Sequence, residues 1–369
     1  MYKDTFLKII TEGSSDIFVY KNKEKNKGPG LVEKGLPFYN PSMELNRDLS
    51  IIVLEHLIKN SKNPLKILDG LSASGIRGVR FANEISGNFT VYINDWNKES
   101  YDLIKKNIKE NSLKNAVALN KNLNTILSEE KFDYIDIDPF GSPVYFFDSA
   151  VRSIKHNGII AATATDTAAL CGVYPKVCIR RYDAQPFHCT CMKEVGIRIL
   201  IGCLARNANR YDKGIVPILS YTTDHYFRIY VSVYNNTTEA NKTREKVNII
   251  PKGKMIGIDK TEKEIGPLYT GKIQKKQIFP YLRSILSDKN LGTKNILWNL
   301  LDNLEFESDA NMFFYTSDSL SKYFKTSPPK KKDLFNFLQK KSYKVVNTHF
   351  DPAGFKTNAP FDIIEKMFK

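Results

Sequence analysis

Phe132-Asp-Tyr-Ile-Asp-Ile-Asp138-Pro-Phe-Gly-Ser-Pro143 is the stretch on which the reading of this chain turns. Apolar and acidic residues alternate through Ile137 as they do in a strand, so Asp138 falls where the strand ends. Open α/β sheets bind ligands outside the carboxyl ends of their strands. At such a place a carboxylate accepts a hydrogen bond from an NH2 group. Pro139 has a fixed φ and no N–H to donate, which leaves a neighbouring carbonyl free to accept a second bond, and Phe140 offers a stacking face to a planar base. These residues taken alone fit a strand followed by a Pro-Gly turn equally well, and the flanking sequence has to decide.

Working outward, strands and helices alternate. Leu65–Asp69, Thr90–Asn94, Ala116–Leu119, Asp133–Asp138 and Gly158–Thr163 read as strands, with helices over Asn46–Lys59, Gly75–Ile85, Lys98–Asn111 and Met192–Ala208. Such alternation predicts a parallel sheet with right-handed crossovers. Val216–Thr222 and Phe227–Val233, separated by a short turn, add one antiparallel strand. The expected architecture is an α/β, Rossmann-like, seven-stranded sheet of the class I methyltransferase type, with a smaller α+β domain after it. The sheet domain is expected over residues 1–235, with a Lys/Gly-rich exposed arm at Lys21–Gly35. Residues 236–369 are expected to form the second domain, opening with a polar linker over Asn235–Lys246 and a β-type insertion over residues 247–277.

The turns after the strands carry the chemical signal. Asp69-Gly-Leu-Ser72-Ala-Ser-Gly75-Ile-Arg77-Gly78 follows the first strand and opens a helix. Small residues let backbone approach a ligand, and a helix N-terminus presents free N–H groups. The dinucleotide fingerprint is not met. The run suits S-adenosylmethionine, whose carboxylate needs donors and whose sulfonium and amino group favour a nearby acid such as Asp69. Asn94-Asp95-Trp96 ends the second strand, where an acid accepts from ribose hydroxyls. The third ends near Asn120-Lys-Asn-Leu-Asn124, where a polar side chain could meet the adenine amine. A cofactor turn, a ribose-type acid, a polar loop and then Asp-Pro-Phe-Gly, each after successive strands, point to an amine methyltransferase. The motif matches that of S-adenosylmethionine-dependent enzymes acting on exocyclic amines, usually Asp/Asn-Pro-Pro-Tyr/Phe.

Composition bounds the partners. The 369 residues carry a net charge of +15, with +6 over residues 1–235 and +9 over the shorter remainder. Such a field attracts polyanions. No run of apolar residues is long enough to span a membrane, and the first residues do not read as a signal peptide, so a soluble cytoplasmic protein, a monomer without membrane partners, is expected. All five cysteines lie between Cys171 and Cys203. An odd number without zinc-ligand spacing reads as buried free thiols, and no metal is expected. His188, His225 and His349 read as structural histidines.

Beyond these signals the chain resembles the tRNA guanine-26 N2-methyltransferases. The resemblance rests on Phe38-Tyr-Asn-Pro-Ser-Met-Glu-Leu-Asn-Arg47-Asp-Leu-Ser50, on Asp69–Gly78 and on Asp138-Pro-Phe-Gly141. It extends to Thr163-Ala-Thr-Asp166, Lys193-Glu-Val-Gly-Ile-Arg198, Asp224-His-Tyr-Phe-Arg228, Thr348-His-Phe350 and Lys356-Thr-Asn-Ala-Pro360. It implies transfer of one or two methyl groups from S-adenosyl-L-methionine to the N2 amine of guanine 26 in tRNA, with residues 236–369 binding tRNA. It further implies Asp138 as the catalytic acceptor, and Phe140 and Phe38 on the two faces of the guanine beside Pro139. Arg47 and Arg77 would hold the cofactor region along with Asp69, Ser72 and Gly75. Asp95 and Trp96 would meet the ribose, and Asn122 and Leu123 the adenine. Two departures stand out. The cysteine pairs that many members carry between the domains are missing from Asn248–Lys272, and Asn122 replaces an acid. Another RNA amine, such as an rRNA guanine, and an inactive RNA-binding relative are the competing readings.

Overall fold

The computed structural model of the chain describes residues 5–22, 35–223 and 225–368. It opens with an antiparallel hairpin, β1 (Thr5–Glu12) and β2 (Ser15–Asn22), where the sequence suggested only an arm. Most of the Lys/Gly-rich run lies outside the described residues. Two side-chain amides grip its second strand: Asn107 donates to the Phe18 carbonyl at 3.1 Å and accepts from the Phe18 N–H at 2.7 Å, and Asn111 donates to the Asp16 carbonyl at 2.7 Å and accepts from the Asp16 N–H at 3.1 Å. These side chains take the place of a neighbouring strand.

Helix α1 (Glu44–Lys59) leads into β3 (Leu65–Asp69), α2 (Ile76–Glu84), β4 (Phe89–Asn94), α3 (Lys98–Glu110), β5 (Ala116–Leu119), α4 (Leu123–Glu129), β6 (Phe132–Ile137), α5 (Phe147–Ser153) and β7 (Ile154–Ala164). Strands β8 (Gly214–Thr222) and β9 (Phe227–Tyr234) complete a seven-stranded sheet in the order β5-β4-β3-β6-β7-β9-β8. Neighbours are parallel from β5 to β7, and β9 runs antiparallel to β7 and β8. This is the class I methyltransferase sheet that the strand–helix alternation predicted. Its strands are covered on both faces, as parallel sheets must be. Ile67, Val91, Ile93 and Tyr134 feed the core beneath α1 and α2, while Leu68, Ile135 and Ile137 feed the core shared with α4, α5 and the helix Met192–Asn209.

The polar stretch expected as a linker contains a helix, Thr237–Glu245. Asn236 caps it by accepting from the Glu239 N–H. Its Thr243 hydroxyl accepts from the Ile215 N–H of edge strand β8 at 2.8 Å, so residues with few apolar side chains are nevertheless docked on the sheet. The expected β-type insertion is present as antiparallel strands Val247–Ile250 and Ile265–Tyr269. Beyond it, Phe279, Leu282, Ile285, Leu297, Leu301 and Leu304 join the core under α1. A third, separate apolar core (Leu320, Leu334, Leu338, Val345, Phe355, Ile364 and Phe368) lies entirely within the last part of the chain. Among the described residues no helix is long and apolar enough to cross a membrane.

Candidate active site

A cavity of about 650 Å³ opens at the carboxyl ends of β3, β4 and β6. Most of the residues singled out from sequence line it: Phe38, Arg47, Asp69, Ser72, Arg77, Asp95, Asp138, Pro139 and Phe140. Gly75, Trp96, Asn122 and Leu123 are absent from its wall.

Backbone builds the β3–α2 side. Gly75 adopts φ +79°, a left-handed conformation that glycine reaches without strain, and a Cβ there would sit 2.9 Å from Ile104. The turn is closed by the Gly75 N–H donating to the Ser72 carbonyl at 2.7 Å and by the Ser72 hydroxyl donating to the Asp69 carbonyl at 2.9 Å. Gly75 therefore shapes the wall from behind it. The Ser74 hydroxyl on this wall is buried and has no hydrogen-bond partner among the described residues. Asp95 accepts from the Ala73 and Asn97 N–H groups, both at 2.8 Å. Burial raises its pKa, and those two bonds work against the rise.

Three expected contacts land elsewhere. Trp96 is 70% exposed. Leu123 is buried against Gly70, where its Cδ1 would lie 2.8 Å from an added Cβ, so it braces the turn after β3. Asn122 caps α4, its amide oxygen accepting from the Asn124 N–H at 2.9 Å. The oxygen expected to face an adenine amine already serves the helix end.

Side chains build the β6 side. Asp138 stands one residue past β6, and its Oδ2 accepts a short hydrogen bond from the Arg77 guanidinium. Arg77 also donates to Asn46 Oδ1 and Ser50 Oγ, each at 2.8 Å, and its Nε lies 3.5 Å from Asp136 Oδ1. Burial opposes its charge, but Asp136 and Asp138 outweigh burial and raise its pKa above the usual arginine value. Asp136 is fully buried in β6 and receives Arg228 Nη2 at 2.6 Å and the Tyr134 hydroxyl at 2.9 Å. Burial pushes its pKa up, yet Arg228 and Arg77 together hold it below the ordinary carboxylate value. Asp69, with one bond from the Gly78 N–H at 2.9 Å, goes the other way. Burial raises it to about 7, against Arg77 and with Asp136. Arg77 is thus first of all the clamp on Asp138.

Arg47 is also committed within the protein. It donates to both Glu12 carboxylate oxygens at 2.6 and 2.5 Å and to the Asn40 carbonyl at 3.2 Å. Glu12 in turn receives Arg80 at 2.7 Å. Burial raises the Glu12 pKa, but the two arginines overcome this and hold it low. Through Arg47 the hairpin fixes the Phe38–Asn40 segment that forms one lip of the cavity. Phe140, 78% exposed, forms the other. The two rings meet edge to face, centroids 5.0 Å apart and planes at 70°, rather than lying parallel with a gap between them. The Asp-Pro-Phe-Gly turn is pinned from outside: the Gly141 N–H donates to Thr165 Oγ1 at 2.7 Å, and the Thr165 N–H returns a bond to the Gly141 carbonyl at 2.9 Å.

Glu12, Asn46, Ser50, Asp136, Thr165 and Arg228 were not singled out from the sequence. All but Glu12 fall inside quoted segments, which was their only signal. His225, read as structural, stands exposed on the cavity wall beside Tyr226. His188 and His349 do have internal partners, the Cys171 carbonyl and Glu307.

The chain matches the family model described as N2,N2-dimethylguanosine tRNA methyltransferase over residues 13–369. It is 36% identical to the tRNA (guanine(26)-N(2))-dimethyltransferase of Methanobrevibacter smithii, covering 90% of this chain and 91% of that one. With the enzyme of the same name from Pyrococcus furiosus it is 35% identical over 98% of both chains. Among solved structures it is similar to the complex of Trm1 from Pyrococcus horikoshii with S-adenosyl-L-methionine, at a TM-score of 0.86 and 33% identity over 98% of this chain and 99% of that one.

Proposed function

The chain belongs to the N2,N2-dimethylguanosine tRNA methyltransferase family, and on that premise we propose that the cavity is where it methylates the exocyclic N2 amine of guanine 26 in tRNA, with S-adenosyl-L-methionine as donor. The observation that carries this reading is Asp138, clamped by Arg77 at the open end of β6 and next to the half-buried Phe38 ring on one lip and the exposed Phe140 ring on the other. The wall suits the cofactor: a glycine-bent helix start, a Ser74 hydroxyl without a partner among the described residues, Asp95 on the ribose side and Asp69 with its raised pKa. Asp69, Ser72, Arg77 and Asp95 would hold it there, and its chemical contribution is an electrophilic methyl group.

The remaining tasks belong to the chain. The guanine 2-amino nitrogen is a poor nucleophile because its lone pair is delocalised into the ring. Asp138 and the Pro139 carbonyl accept its two N–H bonds, which pyramidalises the nitrogen and aims the lone pair at the methyl group. With one Asp138 oxygen fixed by Arg77, the other is left for the amine. In-line positioning of this kind contributes ~7–11 kcal/mol. A stacked base reaches the cavity only by flipping, at a few kcal/mol. Stacking on Phe38 and Phe140 returns ~1–3 kcal/mol per base, once the rings part from their mutual contact. We assign tRNA binding to the basic part of the chain after residue 235, where Lys330, Lys332, Lys340, Lys341 and Lys344 are exposed.

The test is methyl transfer to tRNA transcripts with guanine or adenine at position 26, followed by nucleoside analysis. N2-methylated guanosine from the first transcript alone is expected, and equal transfer to both would overturn the assignment.

A further inference from the structure

A second surface adjoins the Asp-Pro-Phe-Gly turn, outside the cavity wall. Helix Pro175–Tyr182 is tied to the Asp-Pro-Phe-Gly-Ser-Pro loop by a chain of bonds. The Ser142 hydroxyl donates to the Tyr182 hydroxyl at 2.9 Å, and Tyr182 donates to Asp166 Oδ1 at 2.6 Å. Asp166 Oδ2 accepts from Arg181 at 2.9 Å, and Arg181 also meets the Tyr145 side chain. At the other end of the helix, the Val173 and Tyr174 N–H groups both bond to the Ala168 carbonyl, at 2.9 and 3.3 Å. This face is therefore anchored to the loop that carries Asp138 and Phe140.

What it presents to solvent is unusual for a surface. Tyr145 is 64% exposed, Tyr174 60%, Val173 49% and Ile179 45%. Single exposed apolar side chains are ordinary, but several together mark an interaction site. Between them stand Lys176 and Arg180, exposed and without an ion-pair partner among the described residues. Aromatic rings interleaved with unpaired cations are what unstacked nucleotides bind: rings take the bases, and cations take the phosphates. A protein partner would be met by the apolar residues but would leave the two cations uncompensated. The charge favours RNA.

We propose that the face formed by Tyr145, Tyr174, Lys176 and Arg180 binds the RNA nucleotides next to the flipped guanine, an inference that rests on the tRNA-methylation reading above. Flipping one base leaves its neighbours partly unstacked, and this face receives them beside Phe140. It makes the catalytic domain itself a reader of the strand around the target.

The test uses the full-length protein with Tyr174→Ala, Tyr174→Phe and Arg180→Ala, measuring tRNA affinity across a salt series and cofactor affinity as a control. Loss of one stacking platform is expected to weaken tRNA binding about 5- to 150-fold, with Tyr174→Phe close to wild type. Arg180→Ala is expected to lower the slope of log affinity against log salt by about one. Cofactor affinity stays at the wild-type value in all three. Wild-type tRNA affinity and slope in both alanine variants would overturn the proposal. So would a change confined to oligomeric state, which would make the face a contact between copies. If the wild-type protein fails to methylate tRNA guanine, the functional reading itself falls. If it methylates while the variants bind normally, only this surface does.

Discussion

Two of the buried charge clusters in this protein are built from the same kinds of residue to different ends. One lies behind the cavity and joins Arg77 and Arg228 to Asp136 and Asp138, with Asp69 alongside. The other lies where the helix Met192–Asn209 meets the C-terminal part of the chain. There Glu194 receives Arg198 at 2.9 Å and Lys356 at 3.0 Å. Glu307 receives the Thr348 hydroxyl at 2.7 Å and a short bond from His349. In that cluster both acids are settled: burial pushes each up, but Lys356 with Arg198, and His349 with Lys356, hold them below the ordinary glutamate value. In the first cluster Asp136 is settled in the same way, Asp138 reaches the open cavity, and Asp69 is left with a pKa near 7. Strongly perturbed charges by themselves do not mark an active site. What separates the two clusters is what they face: Glu307, Arg198 and Lys356 line a small cavity of about 150 Å³, whereas Asp69 and Asp138 face the cavity of about 650 Å³ at the sheet's carboxyl edge, which a cation can enter.

The sharpest way to break the comparison is Asp138→Ala. It should lower single-turnover methyl transfer to tRNA about 10²–10⁴-fold while tRNA and cofactor affinities stay within a few-fold of wild type. Retained turnover would remove Asp138 from the mechanism. The counterpart at the junction is Lys356→Met, which leaves Glu194 and Glu307 short of a cation. Breaking a buried pair costs about 3–5 kcal/mol, so denaturant unfolding should show that loss while turnover at a permissive temperature changes little. If turnover fell as it does for Asp138→Ala, the junction cluster would not be merely structural.

The smallest expected effect is a pH slope. An acid whose folded-state pKa is raised binds its proton more tightly in the native state than in the unfolded chain. Between the ordinary 3.8 and about 7, the contribution of Asp69 to stability therefore falls as pH rises. A cationic ligand favours the ionised carboxylate, so S-adenosyl-L-methionine affinity should rise with pH up to about 7 and lose that rise in Asp69→Asn. Calorimetric titrations at pH 5.5 and 7.5 check this, and identical slopes in the two proteins would sink it.

How much of this was legible in the sequence depends on how far apart the partners stand. The strands, the turn after β3, Asp95 and Asp138 each announce themselves within about ten residues, and they fall where the alternation of elements put them. Asp136 did not. Phe132-Asp-Tyr-Ile-Asp-Ile137 showed only alternating acids, but a parallel strand is buried on both sides, and Asp136 is admitted because Arg228 reaches it from β9 and Arg77 from α2. The hairpin was missed because the groups that hold its two eight-residue strands, among them Asn107, Arg47 and Arg80, are distant in sequence. The helix Thr237–Glu245 looked like linker because it buries only Ala240 and Thr243. Thr348, His349 and Lys356, quoted for their resemblance to the family, gather around Glu307 rather than at the cavity.

The Glu12–Arg47 pair has a practical side for anyone cloning or trimming this protein. A start site moved past Glu12, or a tag that pulls on the first strand, strips Arg47 and Arg80 of a shared carboxylate and frees the backbone around Asn40. A chain shortened to the stretch that matches the family, residues 13–369, would keep every residue of the Asp-Pro-Phe-Gly loop and still lose the anchor of Phe38.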